Sequence, residues 1–362
     1  MATYNVTLIP GDGIGPEVTE ATRRVLESTG VSFDWEYQQA GMIAHEQTGD
    51  TLPQATLEAI RNNKIGLKGP ITTPIGGGFR SVNVGLRQAL GLYTNLRPGK
   101  TIKGVQSTFE DIDLIVVREN MEGMYSGVEF DTGTPDAAQV ISKINELSTK
   151  KVAEDAAISI KVTTPEGTQR IIRFAFEYAR ANGRKKVTIV HKANIMKFTE
   201  GLFLKFGQEI AAEYPDIESN DRIVDNMCMQ LMQKPQEYDV LVMENLFGDI
   251  VSDLVAGMVG GLGVAPGGNI GDGIAVFEPI HGSAPSHAGK NEANPVAMIL
   301  SGAMMLRYLG EQTAAEKVER AVAVVIAAGE RVTYDLREDR DPLKATGTSG
   351  MADAIIEQIV AF

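Results

Sequence analysis

With 362 residues, the chain is too long for one simple core, and a hydrophobic content of 43% supplies enough apolar material for a two-domain α/β enzyme. A net charge of −13 argues against nucleic acid and anionic membranes as partners, but leaves a small anionic substrate open, because local arginines decide its binding. The single cysteine, Cys228, excludes an internal disulfide, fits a reducing compartment and reads, within the apolar stretch D-N-M-C-M-Q-L-M, as a buried structural thiol.

The sequence predicts a strand over 4–9, so early that no room is left for a signal peptide, and no stretch approaches the ~18 apolar residues of a membrane span. Both features lead to the expectation of a cytoplasmic protein. P-G-D-G-I-G-P-E follows, with Pro16 opening a helix. Its glycines do not make the G-x-G-x-x-G dinucleotide fingerprint, although a tight turn close to a ligand fits Asp12 to Ile14. From 57 to 74 the pattern is helix, strand and loop. Thr72 and Thr73 lie where α/β sheets place ligands, at the carboxyl end of a strand.

The segment G-G-G-F-R-S-V-N-V-G-L-R-Q-A-L-G-L-Y-T-N-L-R-P, residues 76–98, gathers Ser81, Asn83, Arg87 and Arg97. Helical spacing over 81–93 offers Val82, Leu86, Ala89 and Leu90 as an apolar face and points Asn83 and Arg87 the same way. A hydroxyl, an amide and two guanidiniums make an anion site with several carboxylate-sized slots.

A strand over 113–117 leads into R-E-N-M-E-G-M-Y-S-G, with Arg118 at its end and Tyr125 in the loop beyond. Residues 126 to about 165 break the βα rhythm, with a helical piece around 136–148 and a strand-like I-S-I-K-V. Such an excursion reads as an arm that pairs with another subunit. A helix over 166–182 and a strand over 186–190 then lead into H-K-A-N-I-M-K-F-T-E-G. A strand over 240–243 continues into E-N-L-F-G-D-I-V-S-D, which sets Asp249 and Asp253 on one helix face; Asp225 is a third carboxylate. Oxygen-only ligands suit Mg²⁺ or Mn²⁺. Glycine density over 257–273 predicts no long helix there. The loop F-E-P-I-H-G-S-A-P-S-H-A-G-K-N-E-A-N-P looks shaped to close its backbone over a phosphate or an adenine. Amphipathic helices are predicted over 295–309, 314–328 and 350–359.

Taken in order, P-G-D-G-I-G-P-E, R-E-N-x-E-G-x-Y, V-H-K-x-N-I-M-K, L-x-G-D-x-x-S-D and H-G-S-A-P resemble the β-decarboxylating dehydrogenases, and within them the isocitrate dehydrogenases, over essentially the whole chain. The resemblance implies an isocitrate/isopropylmalate dehydrogenase-type α/β fold around a mixed sheet, not a Rossmann fold. Its large domain would be 1–95 and 260–362, its small domain 96–125 and 165–259, and its dimer-forming clasp 126–164. It implies oxidative decarboxylation of isocitrate to 2-oxoglutarate and CO₂ with reduction of NAD, as in the tricarboxylic acid cycle.

Ser81 and Asn83 stand where isopropylmalate enzymes carry apolar residues, and both hydrogen-bond a carboxylate; homoisocitrate, one methylene longer, stays open. Arg87, Arg97 and Arg118 would hold the substrate carboxylates. Asp225, Asp249 and Asp253 would hold the metal on the opposite side of one cleft. Lys192, its pKa held low by neighbouring cations, would be the base, and Tyr125 the acid. Lys192 and Asp225 would come from the second subunit of a homodimer.

The cofactor would lie against Ile14, Thr72, Thr73, the loop residues His281, Gly282, Ser283, Ala284, Pro285, Ser286 and His287, then Asn294 and Tyr334. NADP-dependent members follow H-G-[ST]-A-P with Lys-Tyr; here Ser286 and His287 stand there, and Glu338 replaces a later arginine. Both changes favour NAD, while Arg337 and Arg340 keep NADP open. A regulatory subunit of a hetero-oligomeric isocitrate dehydrogenase is the non-catalytic alternative; it would be expected to have lost some of Tyr125, Lys192, Asp249 and Asp253, all of which are present.

Overall fold

A computed structural model of the chain describes residues 3–72 and 81–362. Thr73 and the glycine run that opens the substrate segment therefore lie outside the described residues. The first half contains β1 (Thr3–Ile9), α1 (Gly15–Glu27), β2 (Ser32–Tyr37), α2 (Met42–Thr48), α3 (Gln54–Asn63), β3 (Ile65–Lys68), α4 (Val82–Leu90), β4 (Thr94–Lys100) and β5 (Asp113–Glu119). The excursion holds β6 (Glu129–Phe130), α5 (Pro135–Leu147) and β7 (Ile158–Ser159). Then come α6 (Pro165–Ala181), β8 (Lys186–His191), α7 (Thr199–Ala211), β9 (Glu218–Ile223), α8 (Val224–Gln233), β10 (Val240–Met243) and α9 (Asn245–Met258). The chain closes with β11 (Pro266–Gly271), β12 (Ile274–Pro279), α10 (Val296–Tyr308), α11 (Gln312–Ala328) and α12 (Thr348–Ala361).

Ten of these strands form one mixed sheet in the order β2-β1-β3-β12-β11-β4-β5-β10-β8-β9. Its two wings are parallel, and their inner strands include apolar runs buried on both faces, such as Leu114–Val117 and Val240–Met243, while the edge strands β2 and β9 are more exposed. β11 and β4 run antiparallel to their neighbours and join the wings. The excursion forms a separate antiparallel pair, β6 with β7.

This topology places the polar residues. Arg97 stands opposite Val116, and Asn95 opposite both Arg118 and Asn269. Side chains alternate faces along a strand, so Arg97, Asn95, Arg118 and Asn269 share one face across β4, β5 and β11. The helix α9 packs over β4 and β5 on that face. Its start is fixed by Glu244, whose carboxylate accepts from the backbone N–H groups of Leu246 and Phe247 at 3.1 and 3.0 Å.

Several expectations need correcting. The helix read over 81–93 is shorter, because Ser81 caps its start and Gly91 ends it in the left-handed region, after which the chain enters β4. Val82, Leu86 and Leu90 are buried, but Ala89 is exposed. No long helix runs through 257–273, as expected, but part of it is β11, and Gly267, Gly268 and Gly271 belong to that central strand: a Cβ on Gly268 would sit 3.0 Å from the Phe277 ring. The helix α10 is buried over most of its surface rather than amphipathic, since it packs against β11, β12, α1 and α11. Cys228 is half-buried, with burial and then Asp225 pushing its thiol pKa up. Among the described residues no helix is long and apolar enough to cross a membrane.

Candidate active site

Lys68 and Glu278 end buried strands, and each is almost wholly buried. Their side chains pair at 2.6 Å, and Arg87 Nη2 reaches the other Glu278 oxygen at 3.1 Å. Asn269 also donates to Glu278, at 2.7 Å. Burial pushes the Glu278 carboxyl up, but Lys68 and then Arg87 outweigh it and hold it well below the usual carboxylate range. The group carries one surplus positive charge. It lines a cavity of about 110 Å³, together with Asn83, Asn95, Arg97 and His281. Asn83 Oδ1, Arg87 Nε, Arg97 Nε and His281 Nε2 are buried with no hydrogen-bond partner among the described residues. The two guanidinium N–H groups, of Arg87 and Arg97, are unsatisfied donors beside a small cavity, which is what an anionic ligand requires.

Beside this cavity, Arg97 and Arg118 converge on α9. Arg97 Nη1 donates to Ser252 at 2.6 Å and lies 3.3 and 3.5 Å from Asp253 and Asp249. Arg118 donates to Asn245 Oδ1 through Nε and Nη2, at 3.0 and 2.8 Å, and pairs with Asp249. Gly248 permits this approach, since a Cβ there would meet the Arg118 side chain at 2.4 Å. The Tyr125 hydroxyl donates to the second Asp249 oxygen, and the Arg118 guanidinium lies 5.0 Å from the Tyr125 ring centre. The expectation of arginines and aspartates on opposite sides of a cleft is thus corrected: the two kinds of charge interleave, because β4 and β5 present the cations directly beneath α9.

Crowding sets the ionisation of these groups. Burial, then Arg118 and Arg87, bring the Arg97 pKa down to about 10. Burial pushes the Asp249 carboxyl up, but Arg118, the Tyr125 hydroxyl and Arg97 together bring it below its ordinary value. Asp253 is raised by burial against the pull of Arg97. Burial and the adjacent Asp249 raise the Tyr125 hydroxyl, which keeps it protonated near neutrality.

Lys192 and Asp225 form a separate pair, with Nζ 2.5 Å from Oδ1. The expectation of neighbouring cations around Lys192 is therefore corrected: within the chain its neighbour is a carboxylate, because Asp225 opens α8 directly after β9, the strand beside β8. Among the described residues no three of His, Cys, Asp and Glu come together, and Asp249 and Asp253 alone remain close through Arg97.

Around the residues expected to meet a cofactor, Gly13 has φ +60°, and a Cβ there would overlap the Ser283 carbonyl oxygen. Ile14 N–H donates to that oxygen at 2.9 Å, and the Thr72 and Ser283 hydroxyls lie 2.5 Å apart. Asp12 ties the turn together by accepting from the backbone N–H groups of Met42, Ile43 and Thr72 at 3.0, 3.1 and 2.8 Å. Ala284 sits at φ +38° and turns the loop into Pro285–His287. Gly282, Pro285 and Ser286 are exposed, and His287 is held by Glu292 at 2.8 Å. Asn294 donates to Asp335, beside Tyr334, at 2.9 Å. Arg337 is engaged by Asp339 at 2.9 Å, while Glu338 and Arg340 are exposed.

Sequence reasoning missed Lys68, Glu278, Asn245, Ser252 and Asn269. A detectable signal existed for two of them: I-G-L-K and I-A-V-F-E each end an apolar strand in a charge, and a buried charge demands a partner.

The family described as isocitrate/isopropylmalate dehydrogenase matches residues 5–355. A crystal structure of isocitrate dehydrogenase from Methylococcus capsulatus is 54% identical, covers 99% of both chains and superposes with a TM-score of 0.89. A probable NAD isocitrate dehydrogenase subunit alpha of Drosophila melanogaster is 43% identical over 92% of this chain and 83% of its own. An NADP isocitrate dehydrogenase of Archaeoglobus fulgidus is also 43% identical, over 96% and 91%.

Proposed function

The chain belongs to the isocitrate/isopropylmalate dehydrogenase family of dehydrogenases, and from that premise we propose that it oxidatively decarboxylates isocitrate with NAD. One observation supports the choice of substrate: among the described residues, the cavity that opens on Asn83, Arg87 and Arg97 gathers Lys68 and two guanidiniums against the single carboxylate of Glu278, a surplus of positive charge that suits a carboxylate better than an isopropyl group. Ser81, the cap of α4, and Asn83 would bind the third carboxylate, and Arg87, Arg97 and Arg118 the other two.

The residues present fit a divalent cation and a dinucleotide. Asp249 and Asp253 supply only oxygen donors, which suit Mg²⁺ or Mn²⁺, and Asp225 of a second copy would complete the set. The turn Asp12–Ile14 and the loop His281–His287, joined at Ser283, offer backbone for a nucleotide, and the orphaned His281 Nε2 lies beside it. When bound, the metal supplies Lewis-acid polarisation and the nicotinamide supplies the hydride acceptor. Lys192 of the second copy would take the proton of the substrate hydroxyl as hydride leaves C2, and the β-carboxylate departs as CO₂. The protonated Tyr125 then returns a proton to C3. Arg87, Arg97 and Arg118 keep the remaining carboxylates fixed while charge moves.

NAD is favoured over NADP because Glu338 stands where NADP-dependent members carry an arginine, and the neighbouring Arg337 is engaged by Asp339. A homodimer is supported by exposed apolar side chains close to the Lys192–Asp225 pair: Phe198, 91% exposed, with Ile195, Met229, Met232 and Ile250. The test is NADH absorbance on mixing the protein with isocitrate, Mn²⁺ and NAD. The reading expects turnover that chelation of the metal abolishes; no turnover with either nucleotide would overturn it.

A further inference from the structure

Two residues after β7, Lys161 is 12% exposed at its side chain and faces two buried carboxylates. Its Nζ lies 2.7 Å from Glu200, which is fully buried at the start of α7, and 3.4 Å from Glu244. The ring of Phe247, in the first turn of α9, sits 4.8 Å from the same ammonium group. Each carboxylate has a second task. Glu200 Oε2 accepts the backbone N–H of Lys192 at 3.0 Å. Glu244 caps α9, the helix that carries Asp249 and Asp253. The next residue, Val162, accepts the Gly123 N–H at 2.9 Å, at the turn that leads into Tyr125. Among the described residues, Lys161 is the one cation paired with both carboxylates.

We propose that Lys161 is a positioning residue for the reaction. It ties the excursion 126–164 at once to the loop of the base Lys192 and to the helix of the metal aspartates. Two buried carboxylates left without this cation would repel each other and lose their reason to stay buried. Glu200 would then release the Lys192 backbone, and Glu244 would loosen the α9 cap. Neither carboxylate is paired with Arg87, Arg97 or Arg118 among the described residues, and Arg87 and Arg97 keep their Glu278 and Ser252 partners, so most of the substrate grip would persist while the base drifts.

This inference rests on the isocitrate reading above. The test compares the wild type, Lys161→Met and Lys161→Arg. Calorimetric binding of isocitrate with Mn²⁺ counts competent sites, and kcat is expressed per site. Lys161→Met is expected to lose about tenfold or more in kcat per site, with Kd within about threefold. Lys161→Arg, which keeps the cation, is expected to restore most of that loss. Fewer binding sites with unchanged kcat per site would mean a merely structural role and overturn the proposal, as would an arginine variant no better than the methionine one. A wild type that fails to bind or turn over isocitrate would sink the substrate reading instead. Amide hydrogen exchange then still tests the network: the amides of Lys192, Leu246 and Phe247 are expected to be slow together in the wild type, and a fast Lys192 amide would contradict it. The same measurement decides the matter if Lys161→Met does not fold.

Discussion

Arg118 and Asp249 are partners: the guanidinium that ends β5 pairs with one carboxylate oxygen of Asp249 on α9, while Tyr125 donates to the other. A residue proposed to grip substrate, one proposed to bind metal and one proposed to deliver a proton are thus linked through a single carboxylate. Asp249→Asn keeps the shape and removes the charge that balances Arg118 and Arg97. We expect Mn²⁺-dependent kcat/KM to fall at least about 100-fold. The stability loss should stay near 1–3 kcal/mol, because Asp249 is partly open to solvent. Steady-state kinetics alongside urea denaturation check both halves.

Glu278 is buried between Lys68 and Arg87. Its folded pKa is depressed, so its stabilisation is present above the ordinary carboxylate range and is lost as pH falls below it. Glu278→Gln leaves Lys68 buried without a counter-ion, and about 3–5 kcal/mol of stability should go with it. Denaturation midpoints at neutral pH test this, and a change below about 1 kcal/mol would show that the charges are compensated elsewhere.

Glu119 behaves in the opposite sense. Burial raises its carboxyl from 4.5 to about 7, against hydrogen bonds from the backbone N–H groups of Glu122 and Met121. The folded state therefore holds this proton more tightly than the unfolded one, and the stability due to this group falls as pH rises from 4.5 to about 7. The span corresponds to about 3 kcal/mol. Glu119→Gln should remove that slope; an unchanged slope across the window would assign the pH dependence to other groups.

The legible parts of the sequence were those in which periodicity and chemistry agreed. Asn83 and Arg87 fall on one turn of a short helix, and Arg118 and Asp249 follow apolar runs that can only be buried strands. What periodicity could not reach was the Lys68–Glu278–Asn269 cluster, because its members meet through the strand order β3-β12-β11, a long-range fact. The strand β11 was hidden for a further reason. Gly267, Gly268 and Gly271 excluded a long helix but gave no strand signal, whereas the fold uses small residues there to admit Phe277 and neighbouring backbone. Lys192 illustrates the same limit: its neighbour Asp225 lies 33 positions away and is brought beside it by the parallel pairing of β8 and β9.

Ser81 offers a clean substitution. It caps α4, accepting from Val84 N–H at 3.5 Å, and aspartate caps helices equally well. Ser81→Asp should thus fold normally while setting a carboxylate against the substrate's own. The KM for isocitrate should rise at least about tenfold, since like charges in such a site cost several kcal/mol. An unaffected KM would remove Ser81 from the binding site.

The most direct measurement is the ratio of catalytic efficiencies for isocitrate and 3-isopropylmalate, taken with Mn²⁺ and NAD under identical conditions. A site built from Ser81, Asn83 and three arginines should favour isocitrate by about 100-fold or more, because an isopropyl group would leave buried polar groups unpaired. A ratio near one, or a preference for isopropylmalate, would contradict the account at its root.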